Sequence, residues 1–233
     1  MNRRSMPAAL EATRNRKTLA LAEIVQAYWI QSPKKLLVVG CGTGEEAGFL
    51  ARHFNIDTTG IDIGNEFAFD REGATPALLQ IMDAHSLSFA DNSFDFVYSF
   101  HALEHMANPQ LALNEMARVL RKGGTFVIGT PNKSRLMGYI GSATPLSNKI
   151  KWNVNDWVSR LRGQWRNETG AHAGFTENEL LVMCASAFQV QPASVSHSYY
   201  SALYGKRFVQ KLIQLRITRW IYPCVYVVGT RQR

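Results

Sequence analysis

The 233-residue sequence predicts an α/β fold, a mostly parallel sheet with helices on both faces. Three observations carry that expectation. Short aliphatic or β-rich runs alternate with segments of helical spacing between residues 17 and 131. The first run, KLLVVG, ends in a glycine-rich turn that opens a helix. The next two end in acids, Asp62 and Asp83, where the strands of such a sheet turn their carboxyl ends toward a ligand.

The elements follow in order. KTLALAEIVQAYWI (17–30) has helical spacing, with Leu19, Ile24 and Tyr28 among its apolar positions, and Pro33 breaks it. KLLVVG (35–40) reads as a buried parallel strand. EEAGFLARHF (45–54) is expected to be a helix, and IDTTGIDI (56–63) and ALLQIMDA (77–84) strands. SFDFVYSF (93–100) is the fourth strand. NPQLALNEMARVL (108–120) is a helix with Asn at the N-cap and Pro behind it, stopped by RKGG. TFVIGTP (125–131) is the fifth strand. Residues 133–175 then break the rhythm, and a stretch that long should hold helices and a function of its own. TENELLVMCASAF (176–188) resumes as a helix. FQVQPASVS (188–196) and IYPCVYVVG (221–229) read as the last two strands, with a second insert between them.

Composition narrows the function class. With 46% hydrophobic residues the chain can bury a sizeable core, and it is expected to form one domain over 1–233. Its core would be 34–131 and 172–229, with a helical insert at about 133–171. No apolar run approaches the roughly 18 residues that span a bilayer. The N-terminus lacks the apolar centre of a signal peptide, so a cytoplasmic location is expected. Cys41, Cys184 and Cys224 are far apart, which suits a reducing compartment and gives no metal-ligand spacing. The formal charge of +8 is uneven. Residues 18–132 hold seven basic and thirteen acidic side chains, whereas 133–233 hold fourteen basic and four acidic.

Glycines at 40, 42 and 44 let the backbone turn tightly and approach a ligand. A P-loop is excluded, since no Gly-Lys-Ser/Thr follows. Glu45 stands where a dinucleotide site needs its third glycine, and its charge would repel a pyrophosphate. The turn therefore suits a nucleoside without phosphate. Asp62 can accept both hydroxyls of a ribose. Asp83, with the amide of Ala84 or His85, can read the edge of an adenine.

VVGCGTG, GIDI and MDAHSLSFADNSFDFVYSFHALEHM resemble the successive motifs of class I S-adenosylmethionine-dependent methyltransferases, in particular the ubiquinone- and menaquinone-type small-molecule group. The resemblance covers about residues 34–131 and resumes at HAGFTENELLVMCASAFQV (172–190). It implies a Rossmann-like seven-stranded sheet of order 3-2-1-4-5-7-6 with the last strand antiparallel. It implies S-adenosylmethionine as cofactor and S-adenosylhomocysteine as product. The methionine moiety would lie against Gly40, Cys41, Gly42 and Gly44. The ribose would lie on Asp62 with Ile63 against the adenine, whose edge Asp83 and Ala84 would hold. Ser99 and Phe100 would approach the sulfonium. Family members usually carry an acid two residues before the first glycine, where this chain has Val38. Glu45 or Glu46 is the expected substitute for holding the methionyl ammonium.

Methyl transfer needs alignment and exclusion of water, and a hydroxyl acceptor also needs a base. His105 and His172 are the candidates for that role. His101 and His105 share a helical face with Glu104 between them, but lack a third ligand, and no metal is expected. No Asp/Asn-Pro-Pro-Tyr/Phe run follows the fourth strand, which points to O- or C-methylation of a small or lipid-like acceptor. A non-catalytic binding protein and an RNA methyltransferase are the alternatives. KIKWNVNDWVSRLRGQWR (149–166) and YGKRFVQKLIQLRITRW (204–220) are basic and amphipathic and carry tryptophan. They can cover the sheet, form a lid over the acceptor, dock on an anionic membrane surface or bind RNA.

Overall fold

The computed structural model describes residues 8–67, 76–139 and 145–232, with the backbone alone for 8–15. Residues 1–7 of the basic N-terminus and 140–144 of the first insert lie outside the described residues. The chain opens with α1 (Ala8–Gln26), followed by β1 (Lys35–Val39), α2 (Glu45–Phe54), β2 (Asp57–Asp62), β3 (Ala77–Ile81) and β4 (Phe94–Phe100). Next come α3 (Pro109–Val119), β5 (Leu120–Pro131), α4 (Leu146–Leu161) and α5 (Glu177–Phe188). The C-terminal part holds β6 (Ala193–Ser194), α6 (Ser196–Tyr204), α7 (Lys206–Gln214), α8 (Thr218–Ile221) and β7 (Cys224–Thr230).

The seven strands form one sheet in the order β3-β2-β1-β4-β5-β7-β6, as the resemblance implied. The first five are parallel, and β7 runs antiparallel between β5 and β6. Alternation of side chains across the sheet divides the core in two. One face buries Val38, Phe96, Tyr98 and Tyr226 under α1, α2, α6 and α7. The other buries Leu37, Val97, Phe126 and Ile128 under α3 and α5. Each fully buried aliphatic or Phe side chain contributes roughly 1.5–3 kcal/mol, so the sheet centre is the most costly place to alter.

Local chemistry sets the boundaries. The Asn108 side chain accepts from the Leu111 amide and caps α3, with Pro109 at the first helical position. Thr176 and Glu179 form a reciprocal capping box on α5. α1 buries Thr18, Ala20, Leu21, Ala22 and Val25, with Ile24 and Tyr28 partly buried against the same core, and the helix stops at Gln26. β5 begins at Leu120, five residues earlier than expected. Gly123 takes φ +77°, and the register with β4 shifts between Phe94 and Phe96, so RKGG bulges within the strand. The expected strand at 188–196 shrinks to Ala193–Ser194. Phe188 stays in α5, stacked on Phe126 at 3.8 Å, and Pro192 has no amide to give a ladder.

Candidate active site

The glycine turn between β1 and α2 lies at the carboxyl edge of the sheet. Gly40 and Cys41 both donate to the Ile61 carbonyl at 2.9 Å, which ties the turn to the end of β2. Gly40 has φ +73°, and a Cβ there would come within 2.2 Å of Ala102 Cβ. Gly44, at φ +83°, has the same kind of constraint from Leu79. Gly40 therefore brings the turn close to the loop after β4, and Gly44 lets α2 begin against β3.

A cavity of about 280 Å³ opens over the turn, with Gly40, Cys41 and Gly42 on its floor. Lys17, Thr18 and Leu21 of α1 form one wall, Tyr98, Phe100 and His101 another, and Tyr199 and Tyr226 close it. Gly44 faces Leu79 and does not line the cavity. Burial, then the charge of Asp62, pushes the Cys41 thiol up to about 12, so it is neutral. Ser99 is 1% exposed, and its hydroxyl has no hydrogen-bond partner among the described residues.

The two strand-end acids sit outside this cavity, along the same edge. Asp62 Oδ2 accepts from the Gly42 amide at 2.8 Å and Oδ1 from the Gly64 amide at 3.0 Å. Each oxygen keeps capacity for a further donor. Ile63 beside it is 78% exposed, an apolar platform at the surface. Asp83 Oδ1 accepts from the His85 amide at 2.9 Å and from its Nδ1 at 2.6 Å. These bonds, the amide first, hold the Asp83 carboxyl below its usual range. The His85 ring accepts the Asn108 amide at Nε2, which puts its proton on Nδ1. The His85 amide is thus engaged by Asp83 itself.

Val38 is 2% exposed and packs in the core, paired in register with Tyr98 of β4. A carboxylate nonetheless enters the cavity. Glu46 Oε1 accepts from the Tyr98 hydroxyl at 2.7 Å and from the Thr18 hydroxyl at 2.8 Å. It comes from the first turn of α2, where the helix dipole also favours an acid. Glu45, one residue earlier, is exposed.

Cys224, which the sequence did not connect with His101 and Glu104, joins them at the end of β4. His101 takes φ +52°, and its Nε2 is 3.5 Å from Cys224 Sγ at the start of β7. Its Nδ1 is 3.2 Å from Glu104 Oε1, on a side chain only 2% exposed. Burial alone would lower the His101 pKa, but Cys224 and Glu104 outweigh it and push it up to about 10. These contacts favour the protonated ring of His101 at the cavity wall. His105 lies on the far side of Glu104, 3.9 Å from the same oxygen, and its ring meets His172 edge-on at 4.6 Å. Neither lines the glycine-turn cavity. His172 borders a second, polar cavity of about 390 Å³ with Trp152 and Asp156. Among the described residues no group of three or more His, Cys, Asp or Glu side chains is placed to hold a metal.

Comparison with known proteins gives the arrangement its class. Residues 37–128 match the family described as a methyltransferase domain. The 27-O-demethylrifamycin SV methyltransferase of Amycolatopsis mediterranei is 32% identical over 129 residues, 52% of this chain and 46% of that protein. The 2-methyl-6-phytyl-1,4-hydroquinone methyltransferase of Synechocystis is 35% identical over 102 residues, 42% of this chain and 32% of that protein. The chain thus spans less than half the length of these two relatives. Phosphoethanolamine N-methyltransferase 2 of Haemonchus contortus, crystallised with S-adenosyl-L-methionine, shares the fold at 13% identity and a TM-score of 0.57. That superposition covers 92% of this chain and 52% of the other. The strand order is that of class I methyltransferase domains, and residues 37–128 match the methyltransferase-domain family.

Proposed function

We propose that the chain transfers a methyl group from S-adenosylmethionine to an oxygen or carbon nucleophile on a small or lipid-like acceptor. The observation that carries this reading is the Glu46 carboxylate, held over the glycine turn in a chain that has Val38 at the usual acid position. A cavity with a fixed carboxylate fits a cationic amino-acid tail and disfavours a phosphate. The donor set along the sheet edge fits the rest of the cofactor. Asp62 takes the ribose, Ile63 the adenine face, and Asp83 with Ala84 the adenine edge. Gly40, Cys41 and Gly42 let the methionine moiety lie against backbone, with Ser99 and Phe100 beyond.

When bound, S-adenosylmethionine supplies an electrophilic methyl on a sulfonium. The chain aligns the acceptor with it and excludes water. For a hydroxyl acceptor the O–CH3 bond forms as the S–CH3 bond breaks, and the hydroxyl proton leaves. The positive charge of His101 at the cavity wall suits an acceptor that reacts as an oxyanion, such as a phenolate. His105 and His172 lie beyond Glu104 and outside that cavity, so they would receive the proton only through Glu104 or from an acceptor that extends past it. The relatives named for a rifamycin 27-O position and for a phytyl hydroquinone support an oxygen- or ring-bearing apolar acceptor.

The test is incubation with labelled methyl donor and separate lipid, RNA and protein fractions. Label is expected in the lipid or small-molecule fraction; label confined to RNA or protein overturns the acceptor class. Asp62→Ala and Asp83→Ala should abolish cofactor binding in calorimetry. Normal binding by both overturns the site.

A further inference from the structure

α4 is docked the wrong way round for a globular domain. None of its 16 residues is buried. Its polar side chains make the attachments to the body. The Gly138 amide donates to Asn153 Oδ1 at 2.7 Å, Asp156 pairs with the buried Arg135 at 3.4 Å, and Arg160 donates to the carbonyls of Lys133 and Arg135. Its apolar side chains face solvent. Leu146, Ile150, Val154, Trp157 and Leu161 are 72%, 57%, 54%, 45% and 85% exposed. At 3.6 residues per turn these five fall within about 80° of arc, one continuous stripe along the helix. Leu136 and Met137, beside the Gly138 turn that Asn153 holds, are exposed as well.

Cations line one flank of the stripe. On the same wheel Lys151 and Arg162 lie about 100–120° from its centre, on the side away from the body. The other flank holds Asn153, Arg160 and Asp156, which attach the helix to the body, and Asp156, the one acid of the helix, is turned inward and paired. The other basic segment behaves differently: α7 buries Val209 and Leu212 and serves the core. An apolar stripe with cations along its free flank and a tryptophan along it matches the boundary between acyl chains and anionic headgroups.

We propose that α4 docks the chain on an anionic lipid surface, with the Leu146–Leu161 stripe in the acyl boundary and Lys151 and Arg162 at the headgroups. The proposal stands apart from the methyl-transfer reading, since it requires neither cofactor nor acceptor.

The test is co-sedimentation of the full chain with vesicles of phosphatidylcholine alone or mixed with phosphatidylglycerol, at low and raised salt. The chain should sediment with the anionic vesicles and not with the neutral ones, with a blue shift of tryptophan emission. The triple variant Ile150→Ser, Val154→Ser, Leu161→Ser changes exposed positions, so its circular dichroism and cofactor-induced melting shift should match the parent. Its vesicle affinity should fall at least about tenfold. Lys151→Glu with Arg162→Glu should lower affinity by a similar factor and flatten the salt dependence. Absence of sedimentation with anionic vesicles at low salt overturns the proposal. So does binding that the triple variant leaves unchanged. Self-association or RNA binding lost in the triple variant, without vesicle binding, overturns it in favour of a second copy or a nucleic acid.

Discussion

A single side chain, Glu46, brings a carboxylate into the cavity of a chain that has Val38 on β1. Its charge reaches the cavity from the helix after the glycine turn, aimed by hydroxyls from α1 and β4. Loss of a charge-assisted contact of this kind costs about 1.5–3 kcal/mol, so Glu46→Gln should weaken S-adenosylmethionine binding by about 10- to 100-fold. Glu45→Ala, on an exposed neighbour, should change it less than about twofold. Calorimetric titration of both variants measures this, and equal effects would show that the acids act only through the helix end. His101 supports a second expectation. Its folded pKa of about 10 lies above its ordinary 6.5. The stability it contributes is therefore fully present below about 6.5 and lost as pH rises through about 10. Urea midpoints between pH 7 and 10 should fall more steeply in the parent than in His101→Gln. Cys224→Ala should lower the His101 titration, read by NMR, further than Glu104→Gln does. Of these residues, the glycines, Asp62 and Asp83 were legible because spacing along one chain segment defines them. The Cys224–His101 contact joins residues 123 apart, and only the return of β7 between β5 and β6 brings them together.

Elements show where sequence periodicity is reliable and where it is overruled. α2, α3 and α5 fall within a residue of expectation, because caps and breakers mark their ends. β6 does not, since Pro192 and the pull of Phe188 onto Phe126 remove most of its ladder. α4 was legible as an amphipathic helix, but its orientation was not. Periodicity says that a helix has an apolar side, and only the bonds of Asn153, Asp156 and Arg160 say which side meets the body. One cap offers a direct measurement. Thr176 accepts the Glu179 amide at 3.1 Å, and Glu179 returns a bond to the Thr176 amide at 2.7 Å. Thr176→Ala should cost about 1 kcal/mol in denaturant unfolding, with an unchanged slope. A larger loss would mean that the loop carrying His172 depends on the same cap.

At the scale of the whole molecule, the sheet order was implied by the family resemblance, and helices on both faces by the alternation of strands and helices. The covering of the cavity was not, because α1 precedes every motif and its contact with the site is made in space. Lys17, Thr18 and Leu21 put the N-terminal helix in the wall of the cavity, and Thr18 is bonded to Glu46. The helix and the ligand therefore share one free energy. Whatever factor the cofactor adds to the hold on α1, a firmly seated α1 returns to the cofactor. Hydrogen exchange should show the amides of residues 17–26 slowing when S-adenosylmethionine is added, with those of α5 unchanged. The helix that begins the described chain is thus part of the wall of the site, tied to it through Thr18 and Glu46.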